Sequence, residues 1–587
     1  MAGLAKPAAE NAGVGGGGRS PRFAVNPFLA AGVVLALLLA VLVVPPLLFL
    51  IEGSFTGPAA EGRGTVFTTH HFARLLAERR LVESATNSAI FAVGSAAVAL
   101  FFGGLLAWIV ERTNTPWRGL AYLTAIISLG TPYVLYVGAW LFLLGKAGPV
   151  NTLWRDLTGD GGVLINVYSV TGMTLVEGFL WSPLVFLLMG ATLRNANPEF
   201  EEAARMSGAS VWDTLRRITF RLAMPAVLAL ALLVFIRALE AFEVPALVGL
   251  PGGVNVLTTD IFLDLQTQVP PDMGHASAFS VVLLAVVAVL LYFYGRLSKS
   301  AERFSTITGK GFRPRPFDLG HGRWITAAIL MVNFLILLVA PTLVLVWASL
   351  LPFYQTFRIA ALKLLTLDNY RAVFDAPYYL ELVGNTLLVA AITSVVVMAL
   401  TLVSGWLAAR NRRGAWLLDQ LATFPLVFPG IVLGVAVMQL FLRVPVPVYG
   451  TVWILIWAFV IRYLPYGMRY SYSGLLQIHR ELEEAAGVAG ASAVTTLRRI
   501  VMPLLAPSLV AGGLFVFLLA ARVLSLPILL AGPSSQTMAV AMYDLWTNGQ
   551  GTELAALGLL WTALMTVIAG AFYLFARRSA TGPFGNG

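Results

Sequence analysis

Apolar residues in this chain come in long unbroken runs, and that patterning limits it to one class of fold. No charged residue stands between Arg22 and Glu52, and comparable stretches recur to the end of the sequence. About 20 apolar residues in a helix cross ~30 Å of hydrocarbon, whereas membrane barrels show ~10-residue segments that alternate. On that ruler the sequence predicts twelve spans, at 28–51, 86–110, 119–143, 167–192, 223–249, 277–297, 324–350, 385–409, 417–442, 449–473, 507–531 and 555–576. The composition agrees: 58% of residues are apolar and 12% charged, about half the charge of an ordinary soluble domain. The expected class is an all-α polytopic membrane protein.

Charge sets the orientation. An excess of Lys and Arg gives a net +10, and the segment Arg296–Arg323 alone carries seven of them. Basic residues mark cytoplasmic loops, so both termini are expected inside and no nucleic-acid partner is needed to explain the excess. Residues 1–27 read as a disordered cytoplasmic leader, 28–297 as a first transmembrane half, 298–323 as a cytoplasmic linker, 324–577 as a second half and 578–587 as a tail. The first apolar run exceeds a signal-peptide core and is read as a retained anchor. With no cysteine and five histidines, thiolate metal sites are excluded, and no metal-binding or catalytic constellation is expected. No phosphate-cradling GxxxxGK[ST] run occurs, so ATP hydrolysis would fall to another chain.

The two halves repeat. Moving residues 201–218 forward by 282 positions places them on 483–500 with 12 of 18 identical, and the same offset carries Pro183, Pro225, Pro245 and Pro251 onto Pro465, Pro507, Pro527 and Pro533. Earlier in each half Asn87 and Trp108 fall on Asn385 and Trp406 at an offset of 298. Each half thus supplies six spans in the same sense, a parallel repeat of the kind that surrounds a midplane pathway.

The most similar segment lies between the fourth and fifth spans and again between the tenth and eleventh. In the first copy Asn197 is placed to cap a helix starting at Pro198, with Glu199, Glu201 and Glu202 at its positive end. Gly208 permits a break, and Ser210 opens a second short helix through a capping box. The second copy repeats the break at Gly490 and the cap at Ser492. Glu202-Ala203-Ala204, Gly208 and Ile218, and Glu484-Ala485-Ala486, Gly490 and Ile500, resemble the EAA motif of type I ATP-binding-cassette (ABC) importer permeases. The second copy continues to Pro503, where the first has Arg221.

This resemblance covers about 86–297 and 385–576 and implies two tandem six-helix transmembrane domains. It further implies that Glu201, Glu202, Ala203, Ala204 and Gly208, with Glu483, Glu484, Ala485, Ala486 and Gly490, couple to a homodimeric ABC ATPase that uses ATP. The chain itself would bind no cofactor. An extracytoplasmic solute-binding protein and membrane lipid complete the implied partners, in a bacterial inner membrane.

Ionisable residues at bilayer depth are costly and mark function. Arg237, Glu240 and Glu243 share three-residue spacing and are predicted on one helical face. Glu240 corresponds to Arg522 at the 282 offset, and the two are placed to pair across the pseudo-two-fold axis. Glu177 and Arg462 are further candidates. Two readings stand for this set: pathway lining, or clamps between helices. Asp260, Asp264, Asp272, Asp544 and Glu553 are expected outside, as solvated carboxylates or as receivers of a cation or binding protein. His70–His71 carries no assignment.

The segments Ala238–Pro245 and Leu545–Gln550 resemble fused permeases of ferric-iron importers, more loosely than the EAA match. Permeases for thiamine, polyamines, phosphonates and sulfate share much of this pattern. An ion-coupled secondary carrier is the rival class. Its usual charged signature is missing from Glu111–Arg118.

Overall fold

The computed structural model describes residues 27–58, 65–159, 161–195, 199–304, 316–410 and 414–580. The leader, part of the linker, the tail and the Asn197–Pro198 cap lie outside the described residues. Ten helices among them are long and apolar enough to cross a membrane, and two sharply bent pairs bring the number to as many as twelve.

Several predicted spans prove discontinuous, the third and ninth at a proline. The third divides into Gly119–Gly130 and Tyr133–Leu144 around Pro132. The ninth divides into Ala415–Thr423 and Gly430–Arg443 around Pro429, bent by 108°. The fifth ends at Leu239 instead of 249, and the eleventh at Ala520 instead of 531. After the fifth, Pro245–Gly252 and Leu257–Gln266 form a hairpin bent by 78°. Proline cannot donate to the preceding turn, so each break frees carbonyls that need new donors. Thr258 supplies one, its hydroxyl donating to the Ala241 carbonyl at 2.7 Å. Pro183 and Pro465, by contrast, are carried inside the continuous helices Val170–Asn195 and Val452–Leu476.

The repeat holds in three dimensions. The second span (Arg79–Arg112) packs along the fourth (Val170–Asn195), and the eighth (Pro377–Ala409) along the tenth (Val452–Leu476). In each half the Asn found by the repeat ties the N-terminal part of the span to a later loop. Asn87 donates to the Asn255 carbonyl at 3.0 Å and Asn385 to that of Ser534 at 3.1 Å. Ser88 and Thr386, one residue on, accept from the N–H groups of Leu257 and Met538 and so satisfy donors at helix starts.

The leading span of each half crosses over. The first (Pro27–Ser54) packs on the sixth (Met273–Phe304) and on the ninth, which belongs to the other half. The seventh (Arg323–Phe334 continuing to Ala340–Ser349) packs on the twelfth (Gly551–Ala580) and on Tyr133–Leu144. Gln439 of the ninth span donates to Ser277 of the sixth at 2.9 Å, a further stitch between halves.

Candidate functional site

The duplicated segments fold into two short hairpins of the same design. The first has Glu199–Met206, a turn at Gly208 with φ +83°, and Val211–Thr214; the second has Arg480–Val488, Gly490 with φ +83°, and Ala493–Thr496. Positive φ selects glycine. Ser210 accepts from the Asp213 N–H at 3.1 Å and Ser492 from that of Thr495 at 3.3 Å, so both expected caps form. Both hairpins leave through a widened turn, Leu215–Thr219 and Leu497–Val501, so Arg221 in place of the proline does not alter the exit.

The hairpins are tied to the transmembrane core by Glu201 and Glu483. Glu483 accepts from Arg410 Nε at 2.8 Å and from the Trp406 indole at 3.0 Å. Glu201 accepts from the Thr219 hydroxyl at 2.7 Å and lies 3.5 Å from Arg112. Arg112 and Arg410 stand at equivalent positions at the ends of the second and eighth spans. Glu201 and Glu483 therefore face the core as anchors. Ala203, Glu484 and Ala485 are exposed, Glu202 and Ala204 half-buried, and Ala486 buried. The sequence signal for the anchor was available, as the paired arginines sit at the 298 offset that also relates Trp108 to Trp406.

Outward, the hairpins show apolar side chains at matching positions: Phe200, Met206 and Trp212 in the first, Leu482, Val488 and Val494 in the second, with Met206 and Val488 each 91% exposed. Such residues on a projecting element imply a covering surface.

The intramembrane charges meet near the breaks. Arg237 bonds Glu240 at 2.9 Å, and Arg462 of the second half approaches the same carboxylate at 3.6 Å. The predicted common face of Arg237, Glu240 and Glu243 is corrected by the helix ending at Leu239, which leaves Glu243 beyond the break. The expected Glu240–Arg522 pair does not form. Arg522 instead donates to the Leu129 carbonyl, freed by the break at Pro132, and to Tyr133 Oη at 3.0 Å. Arg462 likewise donates to the Phe428 carbonyl beside Pro429. Glu243 accepts from the Leu524 N–H across the halves at 3.2 Å, and Glu177 from the Trp181 indole at 2.8 Å. Broken helices and buried charges thus meet one another, and four of these contacts join the two halves.

At the opposite end from the hairpins, Asp260 and Asp264 are fully buried and not solvated. Arg80 bonds both, at 2.8 and 2.9 Å, and His275 bonds Asp264 at 2.8 Å. Asp272 bonds Arg74 at 2.7 Å. Partial burial works to raise its carboxyl, but the His275 N–H and Arg74 outweigh it and hold the group below the usual carboxylate range. Glu553 accepts from the Tyr379 hydroxyl at 2.6 Å. No group of three or more His, Asp or Glu side chains able to hold a metal occurs among the described residues.

A family model, the binding-protein-dependent transport system inner membrane component, matches residues 99–303 and again 401–580. The chain belongs to this family. The binding-protein-dependent permease is similar to the ferric transport system permease protein FbpB of Actinobacillus pleuropneumoniae, 26% identical over 86% of this chain and 73% of that protein. A putative ferric transport system permease of Haemophilus influenzae is 27% identical, over 76% of this chain and 70% of the relative. A probable ABC transporter permease of Sinorhizobium fredii is 26% identical, over 86% and 89%. The paired match places both hairpins and both leading contacts of the charge cluster within the binding-protein-dependent permease domains. The chain is a transport permease and not an enzyme.

Proposed function

We propose that this permease carries ferric iron, delivered by an extracytoplasmic binding protein and driven by two copies of an ABC ATPase seated on the hairpins. The reading of the substrate is supported by the ferric permeases that align with most of the chain. The reading of the drive is carried by one observation: two hairpins with apolar residues at equivalent positions, each anchored by a glutamate to the end of a core span. A two-fold partner fits a two-fold pair of docking elements. Both hairpins and both termini then lie on the cytoplasmic face of the bacterial inner membrane.

Closure of the ATPases would draw the hairpins together, and the anchors would pass that displacement to the second and eighth spans. At mid-membrane the Glu240–Arg462 and Glu243–Leu524 contacts are the links between halves that must part for a solute to pass. Ferric iron prefers oxygen ligands, and its selection is assigned to the binding protein.

Proteoliposomes containing the permease, its ATPase and its binding protein provide the test. ATP-dependent uptake of radioactive ferric iron is expected, with none of thiamine, spermidine, phosphonate or sulfate. Trp212→Ala with Val494→Ala should release the ATPase from the purified complex while the permease stays folded. Uptake without ATPase would instead establish an ion-coupled carrier, and uptake of another solute would replace the iron assignment alone.

A further inference from the structure

An apolar groove of about 630 Å³ opens between the first span and the second half. At ~30 Å³ per water-sized group, it holds roughly twenty such groups. Its lining includes Leu38, Leu42 and Phe49 of the first span, Leu400 of the eighth and Trp457 of the tenth. Every residue along it is apolar or aromatic, so water would find too few partners to remain there. One wall is the segment Val444-Pro-Val-Pro-Val448. Its three valines all line the groove, while N–H to C=O bonds of 2.7 and 2.8 Å between successive valines fold it tightly. Proline fixes φ at both intervening positions, so this wall is stiff before anything binds.

One polar feature sits at the groove. Arg443, adjoining the lining residue Val444, lies at the end of the groove near Glu52, away from the hairpins. It pairs with Glu52 at 3.0 Å, reaches Thr56 at 3.5 Å and lies over the Phe49 ring at 5.8 Å. Glu52 is mostly exposed, and such an exposed pair yields readily to a competing anion.

We propose that this groove is a phospholipid site of the outer leaflet. One acyl chain fills the apolar channel, and the phosphate takes Arg443. The bilayer is the only hydrocarbon source open to a groove walled by membrane-spanning helices, which favours lipid as its occupant. The bound lipid would cement the first span to the second half. The family match begins at residue 99, so the first span lies outside the matched segments. The inference rests on the chain spanning a membrane and is independent of which solute it carries.

Permease purified from mixed phosphatidylethanolamine and phosphatidylglycerol membranes, then stripped with detergent, should keep about one phospholipid per chain in native mass spectrometry. Arg443→Gln should lower retention of phosphatidylglycerol about fivefold, the effect of one basic group at an anionic surface. Leu400→Trp should fill the channel and abolish retention. Thermal stability of the stripped protein should rise on adding phosphatidylglycerol and not on adding inorganic phosphate. Unchanged retention in both Leu400→Trp and Arg443→Gln overturns the proposal. So does equal stabilisation by inorganic phosphate, which would mark an anion site without a lipid.

Discussion

Replacing Arg410 by Met tests the anchor between hairpin and core most directly. Arg410 is 6% exposed and Glu483 12%. Methionine keeps an apolar stem but leaves the carboxylate with the Trp406 indole as its remaining side-chain donor. Breaking a buried ion pair by removing one partner costs 3–5 kcal/mol, and the slight exposure of Glu483 places this case near about 3 kcal/mol. At 1.4 kcal/mol per tenfold, the ratio of attached to detached hairpin falls by a factor of about 100. Glu483→Gln keeps one acceptor oxygen for Arg410 but turns an NH2 toward the Trp406 indole, and should cost about 1–3 kcal/mol. Amide hydrogen exchange across residues 480–496 reads the detachment locally. Solute moved per ATP hydrolysed in proteoliposomes reads its consequence. Arg410→Met should speed exchange in this segment and lower the transport ratio, with the bulk of the helices unchanged. If exchange and coupling both match the parent protein, the glutamate is not an anchor and force must enter the core elsewhere.

Valine at Gly208 or Gly490 meets open space but must adopt φ +83°, costing about 1–2 kcal/mol of backbone strain; uptake should fall, and asparagine at the same positions should be tolerated better. Glu240→Gln removes the charge shared by Arg237 and Arg462 and should lower the thermal midpoint in nanodiscs more than Glu177→Gln, whose observed bond is to an indole; equal shifts would count against the cross-half clamp. Asp272 has a folded pKa below its unfolded value of about 3.9, so its stabilisation is present above that pH and is lost as pH falls through the folded value. The parent protein should therefore be more stable than Asp272→Asn from pH 5 to 7, and a denaturation series should show the difference closing in acid.

Much of the architecture is legible from local pattern, because a bilayer demands long apolar helices and a duplication leaves its register in the residues. The Gly208 and Gly490 turns and the Ser210 and Ser492 caps follow from steric and hydrogen-bonding rules that act over four residues. The broken spans were harder to read. Pro132 and Pro429 break their helices, while Pro183 and Pro465 do not. The difference lies in whether distant donors such as Arg522 and Arg462 await the freed carbonyls. For the same reason the partner of Glu240 could not be named from an offset: pseudo-symmetry relates equivalent positions without requiring them to touch. Asp260 and Asp264 looked like loop carboxylates because their neutralising Arg80 stands at least 180 residues earlier in the chain.

The exchange of leading helices also bears on how the molecule is made. While the first half is being inserted, its opening helix has no ninth span to rest against, and Tyr133–Leu144 still lacks the seventh. Neither half completes its own perimeter, so maturation waits for the last part of the chain to leave the ribosome. Cutting the gene at the linker would yield two fragments that finish each other only when synthesised side by side.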